Sequence, residues 1–186
     1  MQSIPTSFNI QLSKAELQLV VEEAKKKIDE EEYVEYIVLT ETYGDTLARA
    51  FNKTNKACVI AFTKAKIREP HQTTHAFLRI YGTCKGRDCQ VNYSFTVRDI
   101  PPQNAEVVVV NVRKQGNRNI NHSKEERLKR PLKGQARKEA KELLKIKKPS
   151  KLLREKFALA DSEQIDFGNL DLVKTLKVYQ QVRTQV

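Results

Sequence analysis

The chain has no tryptophan, one methionine and only three cysteines in 186 residues. Three thiols cannot all pair, and no basic stretch followed by an apolar one opens the sequence. A disulfide framework is therefore not expected, and a reducing compartment is. No run of about 18 apolar residues occurs, so neither a transmembrane helix nor a membrane partner is expected. There is no internal repeat and no low-complexity tract. The G-x-S-x-G, P-loop and HExxH signatures are also missing. HQTTH sets His71 and His75 four apart but lacks the glutamate of a metalloprotease, and Asp88, Asp99 and Glu106 are scattered near turns. With no paired acid and base, no enzyme is expected.

What the chain has in excess is positive charge, a net +11. It is concentrated: residues 111–160 hold 17 Lys/Arg against 5 Asp/Glu, a net +12, which leaves −1 for the rest. Cations at that density are the footprint of a nucleic-acid binder, because each neutralised phosphate releases condensed counterions. The bland alternative is a solvated lysine-rich helix face.

Hydrophobic spacing divides the chain into a helical, a stranded and again a helical third. Ser13 and Glu16 form a capping box, with Leu12 and Leu17 as its hydrophobic staple. Leu17, Val20, Val21, Ala24 and Ile28 then predict a helix over about 14–31. YVEYIVLT, 33–40, reads as helix extension or strand, and YGDTLARAFNKTNK as a short helix and turn. ACVIAFTKAK, HAFLRIYGTC, CQVNYSFTVRD and AEVVVVNVRK are rich in β-branched and aromatic residues and separated by turn signals. They predict four consecutive strands of an antiparallel meander. Tyr93, Phe95 and Val97 alternate onto one face. In KGQARKEAKELL the helical stripe is Ala136, Ala140, Leu143 and Leu144. Pro149 interrupts, Ser150 is placed to cap KLLREKFALA, and LDLVKTLKVYQQV sets Leu172, Leu176 and Tyr179 on one stripe. The expected class is α+β: an N-terminal helix, a four-stranded antiparallel sheet with a Cys-x4-Cys hairpin, and C-terminal basic helices. The expected divisions are a helical region 1–45, a sheet domain 46–123, and a basic linker with helices 124–186.

Cys84 and Cys89 lie at the end of one predicted strand and the start of the next, in TCKGRDC. A hairpin tip there can hold two thiolates for a tetrahedral zinc. His122, after the last strand, is the natural third ligand. For the fourth, His71 and His75 precede the strand leading to Cys84, and either reaches only if the loop folds back; His75 is carried as the candidate. The alternative is two free thiols in a turn and three surface histidines.

The order of these pieces resembles the FLYWCH and WRKY/GCM class of zinc-dependent DNA-binding domains, found in Mutator-like transposases and in genes derived from them. The similarity runs through FLRIYGTCKGRDCQVNYSFTV, AEVVVVNV and NHSKEERLKRPLKG, roughly residues 50–182 with the helices that follow. It implies zinc on Cys84, Cys89 and His122, sequence-specific binding of double-stranded DNA, and a nuclear protein. The sequence departs from the pattern where a His-x-His is common: it has Ile120-Asn121-His122. The WRKY heptad is absent too, so no base-reading residue carries over. A transposase catalytic domain is not expected in the remaining chain, so a protein partner would supply any cutting or regulation.

Candidate phosphate contacts are Arg113, Lys114 and Arg118 after the last strand, Lys124, Arg127, Lys129 and Arg130 in the linker, and Lys133, Arg137, Lys138 and Lys141 at the basic helix. Arg79, Lys85 and Arg87 are the candidates for base edges. LKRPLKGQARK doubles as a nuclear-import run. RNA is the alternative ligand if Tyr81, Tyr93 and Phe95 point outwards, though alternation favours the core for them. A further alternative is a protein-interaction module that docks through its N-terminal or final helix, and the acidic run 29–32 is placed to pair with and mask the basic segment.

Overall fold

The computed structural model describes residues 6–22, 25–28, 35–38, 43–67, 76–89, 91–116, 122–132, 134–171 and 173–185. Its first element is a strand. β1 (Ser7–Ser13) alternates, with Ile10 and Leu12 buried and Asn9 and Gln11 exposed. The capping box then starts α1 (Lys14–Glu22): the Ser13 N–H donates to Glu16 Oε2 at 2.7 Å, and the Glu16 N–H donates to Ser13 Oγ at 3.2 Å. The helix ends at Glu22, short of the expected 31. Lys25–Ile28 is instead strand β2, paired antiparallel with β3 (Glu35–Val38) in a two-stranded ribbon. Two apolar positions four apart, Ala24 and Ile28, do not separate a helix from a short strand, and pairing decides. The acidic run 29–32 lies outside the described residues.

α2 (Tyr43–Thr54) leads to β4 (Ile60–Ile67), β5 (Leu78–Cys84), β6 (Asn92–Val97) and β7 (Val107–Gln115). The main sheet has five strands, not four, in the order β1-β7-β6-β5-β4, every neighbouring pair antiparallel. β1 closes onto the free edge of β7, pairing Ile10 with Val110. Strict alternation in β7 sends Val108, Val110, Val112 and Lys114 inwards and Val107, Val109, Asn111 and Arg113 outwards. Helices α1 and α2 cover the inner face. Phe51 of α2 meets Tyr93 edge-on at 5.0 Å between ring centroids and Phe95 at 5.6 Å, in the middle of one apolar core.

Beyond a single turn of 3₁₀ helix (Lys124–Glu126) come α3 (Gly134–Ile146), α4 (Pro149–Ala158), α5 (Ser162–Asp166) and α6 (Leu176–Arg183). Ala140, Leu144, Leu152, Tyr179 and Val182 form their own small core. Two expectations change here. Lys148, not Ser150, is the N-cap of α4, because proline suits the first helical position and holds its predecessor extended, at φ −69°, ψ 144°. The inward residues of α6 are Tyr179 and Val182, while Leu176 is 38% exposed and Leu172 lies outside the described residues.

This helical layer is fastened to α2 by polar side chains. Arg130 donates to the Gly44 carbonyl at 2.7 Å and pairs with Asp45 at 3.2 Å and Asp171 at 2.8 Å. Gln164 donates to the Asn52 carbonyl, Asn169 to that of Lys56, and Lys56 pairs with Asp161. Gly168, at φ +70°, turns the chain beside residues 123–127, where a Cβ would stand 2.3 Å from the Ser123 carbonyl oxygen. Leu128 and Asn169 form a parallel bridge next to it.

Candidate metal centre

Pairing of β4 with β5 sets Ile60 opposite Cys84, and the Lys85 N–H continues the ladder to the Val59 carbonyl at 2.9 Å. Cys58, just before β4, therefore arrives beside the loop that joins β5 to β6 and carries Cys89. His122 enters from the far side, at the start of the basic segment. Cys58, Cys84, Cys89 and His122 bring one ligand atom each to within 4.8 Å of one another. The three cysteines are buried and the His122 side chain is 0% exposed.

The spacing suits a tetrahedral metal. Sulfurs at about 2.3 Å from a tetrahedral zinc stand about 3.8 Å apart, and a sulfur and an imidazole nitrogen about 3.6 Å. Here Cys58 Sγ is 3.8 Å from Cys89 Sγ and 3.6 Å from His122 Nε2, and Cys84 Sγ is 3.3 Å from the same nitrogen. Three cysteines and one histidine could supply all four ligands of a tetrahedral ion, which is the pattern of a structural rather than a catalytic site.

The surroundings orient each ligand. His122 Nδ1 faces Glu126 Oε2 at 2.5 Å, four residues on, so that Nε2 points into the cluster. The Gly86 N–H donates to Cys84 Sγ at 3.4 Å. Gly86 is glycine because the imidazole lies against it: a Cβ would stand 2.2 Å from His122 Cε1. On the inner side, Asn55 Oδ1 accepts the Cys58 N–H at 2.9 Å, and its amide donates to the Tyr93 hydroxyl at 3.0 Å. That hydroxyl donates onward to Cys58 Sγ at 3.4 Å.

Protons are shared unequally in this pocket. Hydrogen bonds with Cys84 and Cys89, and burial, push the Cys58 thiol far up. Hydrogen bonds from Cys58 and Cys84 pull Cys89 far down, against the effect of burial. Burial opposes a charge on His122, but hydrogen bonds to Cys84, Cys89 and Glu126 push it up to about 11. This favours a thiolate at Cys89 beside a charged His122, while Cys58 keeps its proton, and a bound divalent cation would displace the protons of Cys58 and His122.

Among the described residues the fourth group of the cluster is Cys58; His71 and His75 lie outside the described residues. Two signals pointed to the missed partners. Cys58 was the one cysteine left without a role, set in ACVIAF where it reads as core. Glu126 stands four residues after His122 and reads as solvated charge.

The candidate nucleic-acid contacts separate by exposure. Arg79, Lys85, Arg87, Arg113, Lys124, Arg127 and Lys138 are exposed; Lys129, Arg130, Arg137 and Lys141 are half-buried. Lys114 is buried on the inner face of β7, opposite Tyr93, and Arg130 is engaged by Asp45 and Asp171. Neither is placed to meet a phosphate. Arg118 and Lys133 lie outside the described residues. Of the aromatics, Tyr93 and Phe95 are in the core, whereas Tyr81 is half-exposed on the opposite face of the sheet. Compared with family models, with curated proteins and with solved structures, the chain matches none.

Proposed function

We propose that the protein is a DNA-binding module whose sheet and basic segment are joined by a structural zinc ion on Cys58, Cys84, Cys89 and His122, and that it binds double-stranded DNA through the exposed cations around that centre. One observation carries this reading. His122, at the head of the segment 122–160, belongs to the same buried cluster as three cysteines of the sheet region, so the centre fixes the basic segment against the loop that follows β5. The Lys85 ammonium donates to the Lys129 carbonyl at 2.7 Å across this junction. Lys85, Arg87, Lys124 and Arg127 are exposed around it, against the acidic Asp88 and Glu125.

When bound, zinc would supply a crosslink between segments far apart in sequence, and no chemistry on a substrate. The protein's own contribution is positioning. Lysines and arginines hold phosphates, and an arginine such as Arg87 in the loop is suited to a guanine edge. The order of elements, similar to that of transposon-derived DNA-binding domains, supports the same ligand.

Purified protein is expected to carry one zinc per chain by elemental analysis. Cys58→Ser is expected to lose it and His75→Ala to keep it. The zinc-loaded protein is expected to bind a 20-base-pair duplex at 50 mM salt, and chelation is expected to abolish binding. A folded, zinc-loaded protein that ignores the duplex would overturn the function. A folded protein without metal would overturn the centre.

A further inference from the structure

The outer face of the main sheet is covered by none of the described elements, and its composition is one-sided. The five strands contain no aspartate or glutamate. Register aligns the outward residues into rows. Lys66 stands beside Arg79, whose row runs through Thr96 to Asn111. Lys64 stands beside Tyr81, whose row runs through Ser94 to Arg113. Lys64, Lys66, Arg79 and Arg113 are exposed, and no described carboxylate pairs with any of them. A small recess lies between Lys66, Ala76, Arg79 and Tyr81.

We infer that this face is a second nucleic-acid surface, which takes a single strand: phosphates on Lys64, Lys66, Arg79 and Arg113, and a base stacked on Tyr81. Charge selects a polyanion, since four cations that pair with no described carboxylate share a face whose strands contain no aspartate or glutamate. Shape selects a single strand. Five strands about 4.8 Å apart make a face about 19 Å wide, whereas the major groove of a duplex is only about 12 Å wide. Such a face does not enter an undistorted major groove. Splayed bases can lie flat on it, and an aromatic ring among cations is the usual platform for them, tolerant of sequence. The hydroxyls and amides between the cations, on Ser94, Thr96 and Asn111, add donors for sugar and phosphate oxygens.

This surface is separate from the exposed cations around the metal centre, and the two are tested apart. The probe is a fluorescein-labelled 12-nucleotide oligothymidine, titrated by anisotropy with the full chain at 50 mM salt, beside the 20-base-pair duplex. Tyr81→Ala and Lys64→Gln/Lys66→Gln are each expected to weaken single-strand binding roughly tenfold and to leave zinc content, far-ultraviolet circular dichroism and duplex binding as in the wild type. Lys124→Gln/Arg127→Gln is expected to do the reverse. The inference is overturned if the wild type binds duplex and ignores the oligothymidine, an outcome that leaves the duplex reading standing. It is equally overturned if folded face variants bind the single strand as the wild type does. A wild type that binds neither probe overturns both readings.

Discussion

Glu126 accepts from the ring nitrogen of His122 that points away from the sulfurs, and this contact decides which nitrogen faces the cluster. Its carboxylate also gives the imidazole a basic partner in a site where the side chain is only 19% exposed. Glu126→Gln keeps the shape and removes the charge. Metal affinity is expected to fall about 10- to 100-fold, as for other outer carboxylates on metal-bound histidines, read by competition with a chromogenic chelator. An unchanged affinity would mean that Gly86 and the backbone alone hold the ring. Three of the four cluster residues, Cys84, Cys89 and His122, were legible in the sequence. The spacing of Cys84 and Cys89 and the position of His122 are local facts with chemical meaning. Cys58 was hidden because a cysteine between alanine and valine at the head of a strand is ordinary core, and only the β4–β5 register brings it beside the loop between β5 and β6.

At the scale of elements, strand periodicity and caps carried most of the information. Ser13 and Glu16 marked the start of α1, and alternation in Tyr93, Phe95 and Val97 marked an inner face. Phe8, Ile10 and Leu12 alternate, but seven such residues form strand β1 only because the edge of β7 is free to pair with them. The fastening of the helical layer to α2 was illegible for a similar reason: in the sequence, Arg130 is one cation in a basic run. Folded, its guanidinium is 12% exposed between Asp45 and Asp171. Burial opposes charge on Asp171, but Arg130 and Lys174 hold its carboxyl below the usual range. A carboxyl depressed in the folded state stabilises the fold above its unfolded value, about 3.9, and that contribution is lost as pH falls through the folded value. Burial raises Asp45, so its own contribution runs the other way, and a difference measurement is needed. The urea midpoint of the wild type is expected to drop more steeply between pH 5 and pH 3 than that of Asp171→Asn. Parallel curves would remove Asp171 from the acid sensitivity.

Across the whole molecule, the net charge of +11 announces an anionic partner but does not say which cations meet it. The fold divides them. Lys114 and Lys174 are buried, and Arg130 holds the helical layer against α2. Lys124 and Arg127 remain at the surface, and the ion pair of Lys124 with Asp166 spans 3.7 Å between two exposed side chains, too solvated to withhold it from a phosphate. Counterion release converts this division into a measurement, because each phosphate contact adds about 0.9 to the slope of log affinity against log salt. Lys124→Gln and Arg127→Gln are each expected to reduce that slope by about 1 on duplex DNA. Arg130→Gln removes the same formal charge. It is expected to leave the slope unchanged and instead to cost about 3–5 kcal/mol of stability, since it removes the ion-pair partner of buried Asp45 and one of the two cations on buried Asp171. Binding is therefore measured well below the melting temperature of the variant. Three equal changes in slope would mean that the basic segment acts by its total charge, and that the fold does no selecting among its cations.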